Sequence, residues 1–314
     1  MCYQNGQFYV VTIRAIDDHS KAFDNGFTRP NKGLPTGVLL WELFRAFFKK
    51  KRNGVMKILL TNDDGIFSEG LAALYEALAA IHRIDVVAPD RERSAVGHGI
   101  TLHEPLRAMS VELSGGLKGY AVNGTPADCV KLSLRELLDD PPDFVISGIN
   151  PGANVGINAH YSGTVAAARE AALNGIRAMA VSVDGHGKND YRDVVRFVLQ
   201  LLETSRDFDF ENGKFLNINF PLVSSDRIRG VRITRQANVQ LIDGFERRID
   251  PRNRTYYWPK AARLNGNADI DQDVVAIEHG YISITPMICD MTDYSGLERI
   301  AQCCCRYPLE TFEA

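Results

Sequence analysis

"MKILLTNDDGIFSEG", residues 56–70, runs a short apolar segment into two adjacent carboxylates, Asp63 and Asp64, and then a glycine. The unbroken apolar run reads as a strand buried on both faces, as in a parallel sheet covered by helices. "SEGLAALYEALAA" after it reads as a helix with Ser68 as N-cap. Two carboxylates about 5 Å apart repel by roughly 3 kcal/mol at an effective dielectric of 20. Their place at the start of a core therefore asks for a neutralising partner.

The same rhythm continues along the chain. "IDVVAPD", "YAVNG", "DFVISGIN", "AMAVSV" and "FLNINFP" read as strands. "TPADCVKLSLRELL", "SGTVAAAREAALNG" and "YRDVVRFVLQLLE" read as helices. Thr125 with Pro126 marks one helix start, and Gly175 closes another. This alternation predicts an α/β fold, a Rossmann-like three-layer sandwich on a mostly parallel sheet. Residues 56–221 form the expected core. In 222–314, "RGVRITRQ" and "GYISITPM" read as strands of a hairpin or added arm, and "DYSGLERIAQ" as a last helix.

Residues 1–55 lack this rhythm and read as an N-terminal extension outside the fold, with Met56 a candidate translation start. The chain's net charge of −3 divides into +5 for residues 1–55 and −8 for the remainder. That balance favours a small ligand at a local site over a nucleic-acid duplex on a basic face. The longest apolar stretch, "GVLLWELFRAFF" at 37–48, is interrupted by Glu42 and Arg45. As a helix it spans about 18 Å, too short for the hydrocarbon core of a bilayer. The six cysteines (Cys2, Cys129, Cys289 and Cys303 to Cys305) show no C-x-x-C or Cys/His spacing. They argue against zinc and for a reducing, cytoplasmic setting. The Cys303–Cys305 run reads as exposed tail residues.

In open parallel sheets the ligand crevice lies beyond the C-terminal strand ends. Asp63 and Asp64 reach that rim from the first strand, Ser94 from the loop after the second, and Asn150 from a later one. All are oxygen donors, which suits a hard divalent cation, Mg²⁺ or Mn²⁺, with water completing its shell. Gly65 lets the chain turn so that both carboxylates reach one point. Taken alone, "NDDG" reads equally as a turn, Ser94 as a loop hydroxyl and Asn150 as a turn residue before Pro151. Their convergence favours the cation. The helix start Ser162, Gly163, Thr164 offers N–H groups for an anion, or else an ordinary Ser cap. There is no P-loop G-K-[ST].

A cation beside an anion site points to phosphate chemistry. The spacing after Asp63 places Gly65 where an aspartyl-phosphoenzyme mechanism wants a second carboxylate. Attack by metal-activated water fits better, with Asp63 as nucleophile left open. His98 and His103 follow Ser94 and offer proton transfer, against the commoner reading of surface or core-lining histidines.

The ordered blocks "ILLTNDDGI", "VVAPDRERSAVGHGITL", "VNGTPADCVKLSL", "DFVISGINPGANVG", "YSGTVAAAREAAL", "LNINFP", "RITRQ" and "GYISITP" resemble the SurE family, the stationary-phase survival nucleotidases. The resemblance covers Met56 to about Leu297. It implies a metal-dependent phosphomonoesterase acting on nucleoside 5′- and 3′-monophosphates, and on short polyphosphate. It implies metal ligands at Asp63, Asp64, Ser94 and Asn150, with Asp63 and Asp64 catalytic and Ser162 to Thr164 near the phosphate. It also implies a homodimer or homotetramer with an exchanged C-terminal arm. The first 55 residues and "CCCRYPLETFEA" have no counterpart in that resemblance. Rival readings are a nucleotide-sensing module with an inactive metal site, and a nucleoside hydrolase, whose upstream aspartates are absent here.

Overall fold

A computed structural model describes residues 54–113, 116, 118–185, 190–205, 210, 213–239, 242–261 and 269–304. Residues 1–53, which make up nearly all of the expected N-terminal extension, lie outside the described residues, as do 305–314 with Cys305.

The first strand, β1 (Lys57–Thr61), leads to α1 (Glu69–Leu78) and β2 (Arg83–Pro89). Then come β3 (Ala108–Glu112), β4 (Lys118–Val122), α2 (Pro126–Leu132), β5 (Phe144–Pro151), α3 (Gly163–Leu173) and β6 (Arg177–Val183). The chain continues through α4 (Arg192–Ser205), β7 (Lys214–Phe220), β8 (Val231–Ile233), β9 (Ile242–Ile249) and β10 (Thr255–Ala261). It ends in α5 (Asp273–Glu278), β11 (Ile282–Ile288) and α6 (Tyr294–Cys304). The expected helix starts are present: Ser68 Oγ accepts from Leu71 N–H, and Thr125 with Asp128 forms a reciprocal capping box behind Pro126.

The main sheet has the order β3-β4-β2-β1-β5-β6-β7-β11-β8. Strands β4 to β7 within it are parallel, while β3 and β11 run antiparallel to β4 and β7. Strand alternation sends Ile58 and Leu60 to one face and Leu59 to the other. On the first face they pack with Leu71, Leu74 and Leu78 of α1 and with Val194, Val198 and Leu202 of α4. On the second, Leu59, Val145 and Ala178 meet Val130 of α2 and Val165, Ala168 and Ala172 of α3. Each fully buried Leu contributes about 1.5–3 kcal/mol relative to exposure. Three layers result, as expected. The strand order reverses between β1 and β5, so the crevice opens at the ends of those two strands.

The C-terminal third departs from expectation in one respect. "RGVRITRQ" and "GYISITPM" do not form a hairpin with each other. They are β8 and β11, paired in parallel on the far edge of the main sheet, which therefore continues past Pro221. Parallel neighbours cannot be joined by a tight turn and need a crossover. The crossover contains the actual hairpin, β9–β10, which forms a separate antiparallel sheet. Asp250 closes its turn by accepting from Arg252 N–H and Arg254 N–H. Among the described residues, no helix is long and apolar enough to cross a membrane.

Candidate active site at the switch point

The turn after β1 is closed by Asn62, which is fully buried. Its Nδ2 donates to the Gly65 carbonyl at 3.0 Å and to Ser68 Oγ at 2.6 Å, while Gly65 N–H donates back to Asn62 Oδ1 at 3.2 Å. Gly65 has φ +102°, a value that L side chains rarely adopt. Asn62 therefore fixes the direction in which Asp63 and Asp64 leave the strand. The sequence presents Asn62 only as one more polar residue of the motif.

Asp63 is buried, with 6% of its surface exposed. Thr164 Oγ1, in the first turn of α3, donates to Asp63 Oδ1 at 2.5 Å. A Cβ on Gly163 would lie 2.8 Å from Asp63 Cβ and 3.0 Å from its Oδ2, so only glycine leaves room for this carboxylate. The small residues of α3, Ala167, Ala168 and Ala171, let the helix sit close to the sheet and carry its N-terminus to β1. Asp64 differs: its Oδ2 is buried and has no hydrogen-bond partner among the described residues. Burial pushes the Asp63 carboxyl above its ordinary value, opposed by the bonds from Thr164. Burial, then the charges of Asp63 and Glu92, push Asp64 up to about 7. Two acids held at this cost with an orphaned oxygen are what a hard cation neutralises.

The loop after β2 is fastened to this turn. Arg93 N–H donates to the Asp63 carbonyl at 2.7 Å, and Arg93 Nη2 to the Asn123 carbonyl at 2.6 Å. Ser94 follows, its Oγ donating to Glu92 Oε1 at 2.5 Å. Glu92 is a third carboxylate beside the pair that the sequence reading did not single out. Its charge acts on both Asp63 and Asp64. Asn150 stands at the end of β5, the strand whose Ser147 is in register with Thr61. Asn150 Nδ2 donates to the Gly152 carbonyl at 2.6 Å. The candidate donors thus arise from the turn after β1, the loop after β2 and the end of β5, on one rim of the sheet.

The three residues expected near an anion play separate parts. Ser162 Oγ accepts from Val165 N–H at 3.1 Å as the helix cap, and Thr164 bonds Asp63. Gly163 N–H is the first amide of the helix, which helix geometry leaves without an internal acceptor. His103 is exposed, and His98 Nε2 lies 3.0 Å from Glu170 Oε2. Among the described residues, no group of three or more His, Cys, Asp or Glu could hold a metal ion. The donor set is two carboxylates with a hydroxyl and an amide, all oxygen.

The chain is similar to known proteins along most of its length. The family model "Survival protein SurE" matches residues 58–243. A "5'-nucleotidase SurE" from Desulfatibacillum aliphaticivorans is 51% identical over 247 residues, covering 79% of this chain and 98% of that protein. A "5'-nucleotidase SurE" from Syntrophobacter fumaroxidans is 47% identical, covering 79% and 99%. Among solved structures, the SurE protein of Aquifex aeolicus superposes with a TM-score of 0.70 at 35% identity, covering 79% of this chain and 99% of that one. The chain belongs to the SurE family.

Proposed function

We propose that this protein is a metal-dependent 5′-nucleotidase that hydrolyses nucleoside monophosphates to nucleoside and phosphate at the rim between β1 and β5. The observation that carries the reading is the buried, unpartnered Oδ2 of Asp64 beside the buried Asp63. Its relatives' names, "5'-nucleotidase SurE", supply the substrate class.

Asp63, Asp64, Ser94 and Asn150 fit one divalent ion per subunit, Mg²⁺ or Mn²⁺, as oxygen donors. Such an ion, when bound, offsets phosphoryl charge and lowers the pKa of water toward neutrality. Asp63 and Asp64 are the catalytic carboxylates. Thr164 and Gly163 hold Asp63 in one orientation, and its burial keeps Asp63 largely dehydrated, which strengthens its pull on a cation. The Gly163 amide, with the positive end of α3, faces the anionic group of the substrate, while Ser162 secures that helix start. In hydrolysis the oxygen of a water bonds to phosphorus as the phosphorus–oxygen ester bond breaks, and a proton from that water ends on the leaving ribose oxygen.

The same site accommodates 3′-monophosphates and short polyphosphate, whose phosphoryl groups present the same charge. The protein acts in the cytoplasm as a homodimer or homotetramer, with the β9–β10 hairpin as the contact arm. Incubation with 5′-AMP and 3′-AMP tests the reaction class. Inorganic phosphate with intact adenosine is the expected product. Free adenine without phosphate would mean a nucleoside hydrolase, and binding without turnover a nucleotide sensor.

A further inference from the structure

Ser94 and His98 share one short loop whose two ends are tied to different elements. At one end Arg93 N–H donates to the Asp63 carbonyl. At the other, Gly97 N–H donates to the Tyr161 carbonyl at 2.8 Å, directly before the cap of α3. His98 then meets Glu170 on α3 at 3.0 Å. Between these ties Ala95 has φ +55°. A non-glycine residue keeps a left-handed backbone only where its surroundings over-determine it, and such residues gather at ligand clamps.

Glu170 is 4% exposed, and its other oxygen accepts from Lys131 Nζ at 2.8 Å and Asn174 Nδ2 at 3.0 Å. Against its burial, the bonds with His98, Lys131 and Asn174 hold its carboxyl down at about 2. An ionised carboxylate only accepts, so His98 Nε2–H is the donor. Thr164, on the same helix, holds Asp63. A closed circuit results, from Asp63 through Thr164 and α3 to Glu170, then through His98 and the Ser94 loop back to Asp63.

We propose that His98 is a positioning residue: its bond to the buried Glu170 holds the loop that carries Ser94 against Asp63 and preforms the oxygen-donor set. This rests on the reading of that rim as a divalent-cation site. Titration of the full-length protein with Mn²⁺ by calorimetry, alongside AMP hydrolysis and thermal unfolding, tests it. His98→Ala is expected to weaken Mn²⁺ binding about 10–100-fold, as for other groups that orient a metal ligand. His98→Gln, which keeps a donor at the Nε2 position, restores wild-type affinity. Lys131→Ala, which strips Glu170 of a partner without touching the loop, leaves affinity unchanged even where thermal stability falls. His98→Asn, too short to reach Glu170, repeats the test if His98→Ala does not fold. Wild-type affinity in a folded His98→Ala or His98→Asn protein that still hydrolyses AMP overturns this inference alone, as does equal weakening by Lys131→Ala. A wild-type protein that neither binds Mn²⁺ nor releases phosphate overturns the cation site itself and this inference with it.

Discussion

Thr164 and Asp63, 101 residues apart in sequence, are joined by a 2.5 Å hydrogen bond that fixes the orientation of a buried carboxylate. The bond ties the start of α3 to the end of β1, so the helix and the proposed ligand move as one. Thr164→Val keeps the shape and removes the donor. We expect kcat/KM for AMP to fall about 10–100-fold, with Thr164→Ser retaining most of the activity. Steady-state kinetics on the three proteins check this.

Gly163→Ala should be harsher than its size suggests. The added methyl would sit 2.8 Å from Asp63 Cβ, closer than real contacts come, and 3.1 Å from Pro126 Cγ, a tight approach. Asp63 must shift, and a displacement on the order of 1 Å at a reacting centre costs about 100-fold in rate. The same substitution at Gly244, where a Cβ meets nothing within 4 Å, is the control for handling a glycine as such, and should leave the rate unchanged.

The acidic pair also sets a pH dependence. Asp64 is raised from 3.8 to about 7, so between those values the folded protein binds more protons than the unfolded chain. Its contribution to stability is full below 3.8 and is lost as pH rises through about 7. Without added cation, the midpoint of unfolding should therefore decline across this window. Mn²⁺ binds the deprotonated carboxylates, so its stabilising effect should grow over the same range. Thermal melts with and without Mn²⁺ across the pH range measure both trends.

Glu170 behaves in the opposite sense. Despite its burial, bonds from His98, Lys131 and Asn174 lower its carboxyl from 4.5 to about 2. The stability it contributes is present above 4.5 and lost as pH falls toward about 2. Glu170→Gln should destabilise the protein by about 1–3 kcal/mol at neutral pH, and its acid limb should be flatter than that of the wild type. Urea titrations at several pH values compare the two.

The β9–β10 hairpin exposes apolar side chains on one of its faces. Phe245 is opposite Pro259, and Tyr257 is opposite Arg247, which places Phe245 and Tyr257 diagonally on that face with Ile249 beyond. They are 69%, 60% and 60% exposed. Phe245→Glu with Tyr257→Glu should reduce the proposed homo-oligomer to smaller species by light scattering, while the fold by circular dichroism stays unchanged.

What the sequence could convey followed from how local each feature is. Unbroken apolar runs such as "KILLT" and "DFVIS", each followed by a capped helix, carry their strand–helix rhythm within about twenty residues, and the central sheet was legible from them. So was the rim: parallel strands must deliver Asp63, Asp64, Ser94 and Asn150 toward one side. The edge strand β3 was not legible, because "AMSVE" is short and mostly exposed and shows little apolar signal. The pairing of β8 with β11 was also hidden, since two strands at the end of a chain look the same as a hairpin until the crossover between them is known. Within the site, the contact of Thr164 with Asp63 and the tie of His98 to Glu170 depend on where α3 lands on the sheet. Neighbouring residues hold no record of that landing, and Thr164 could only be read as a helix-start residue near an anion. Glu92 went unremarked because in "DRERS" it is one charge among several, and only the fold turns it toward Ser94.

Asp63 and Asp64 are proposed to hold the cation on which phosphate release depends. Phosphate release from AMP, measured for wild type and Asp64→Asn in the presence of Mn²⁺ and again with excess chelator, tests this proposal most directly. Turnover by the wild type that chelator abolishes and fresh Mn²⁺ restores is expected, with Asp64→Asn reduced about 10²–10³-fold in the presence of Mn²⁺. Wild-type turnover that persists in chelator, or an Asp64→Asn protein as active as wild type, would contradict it.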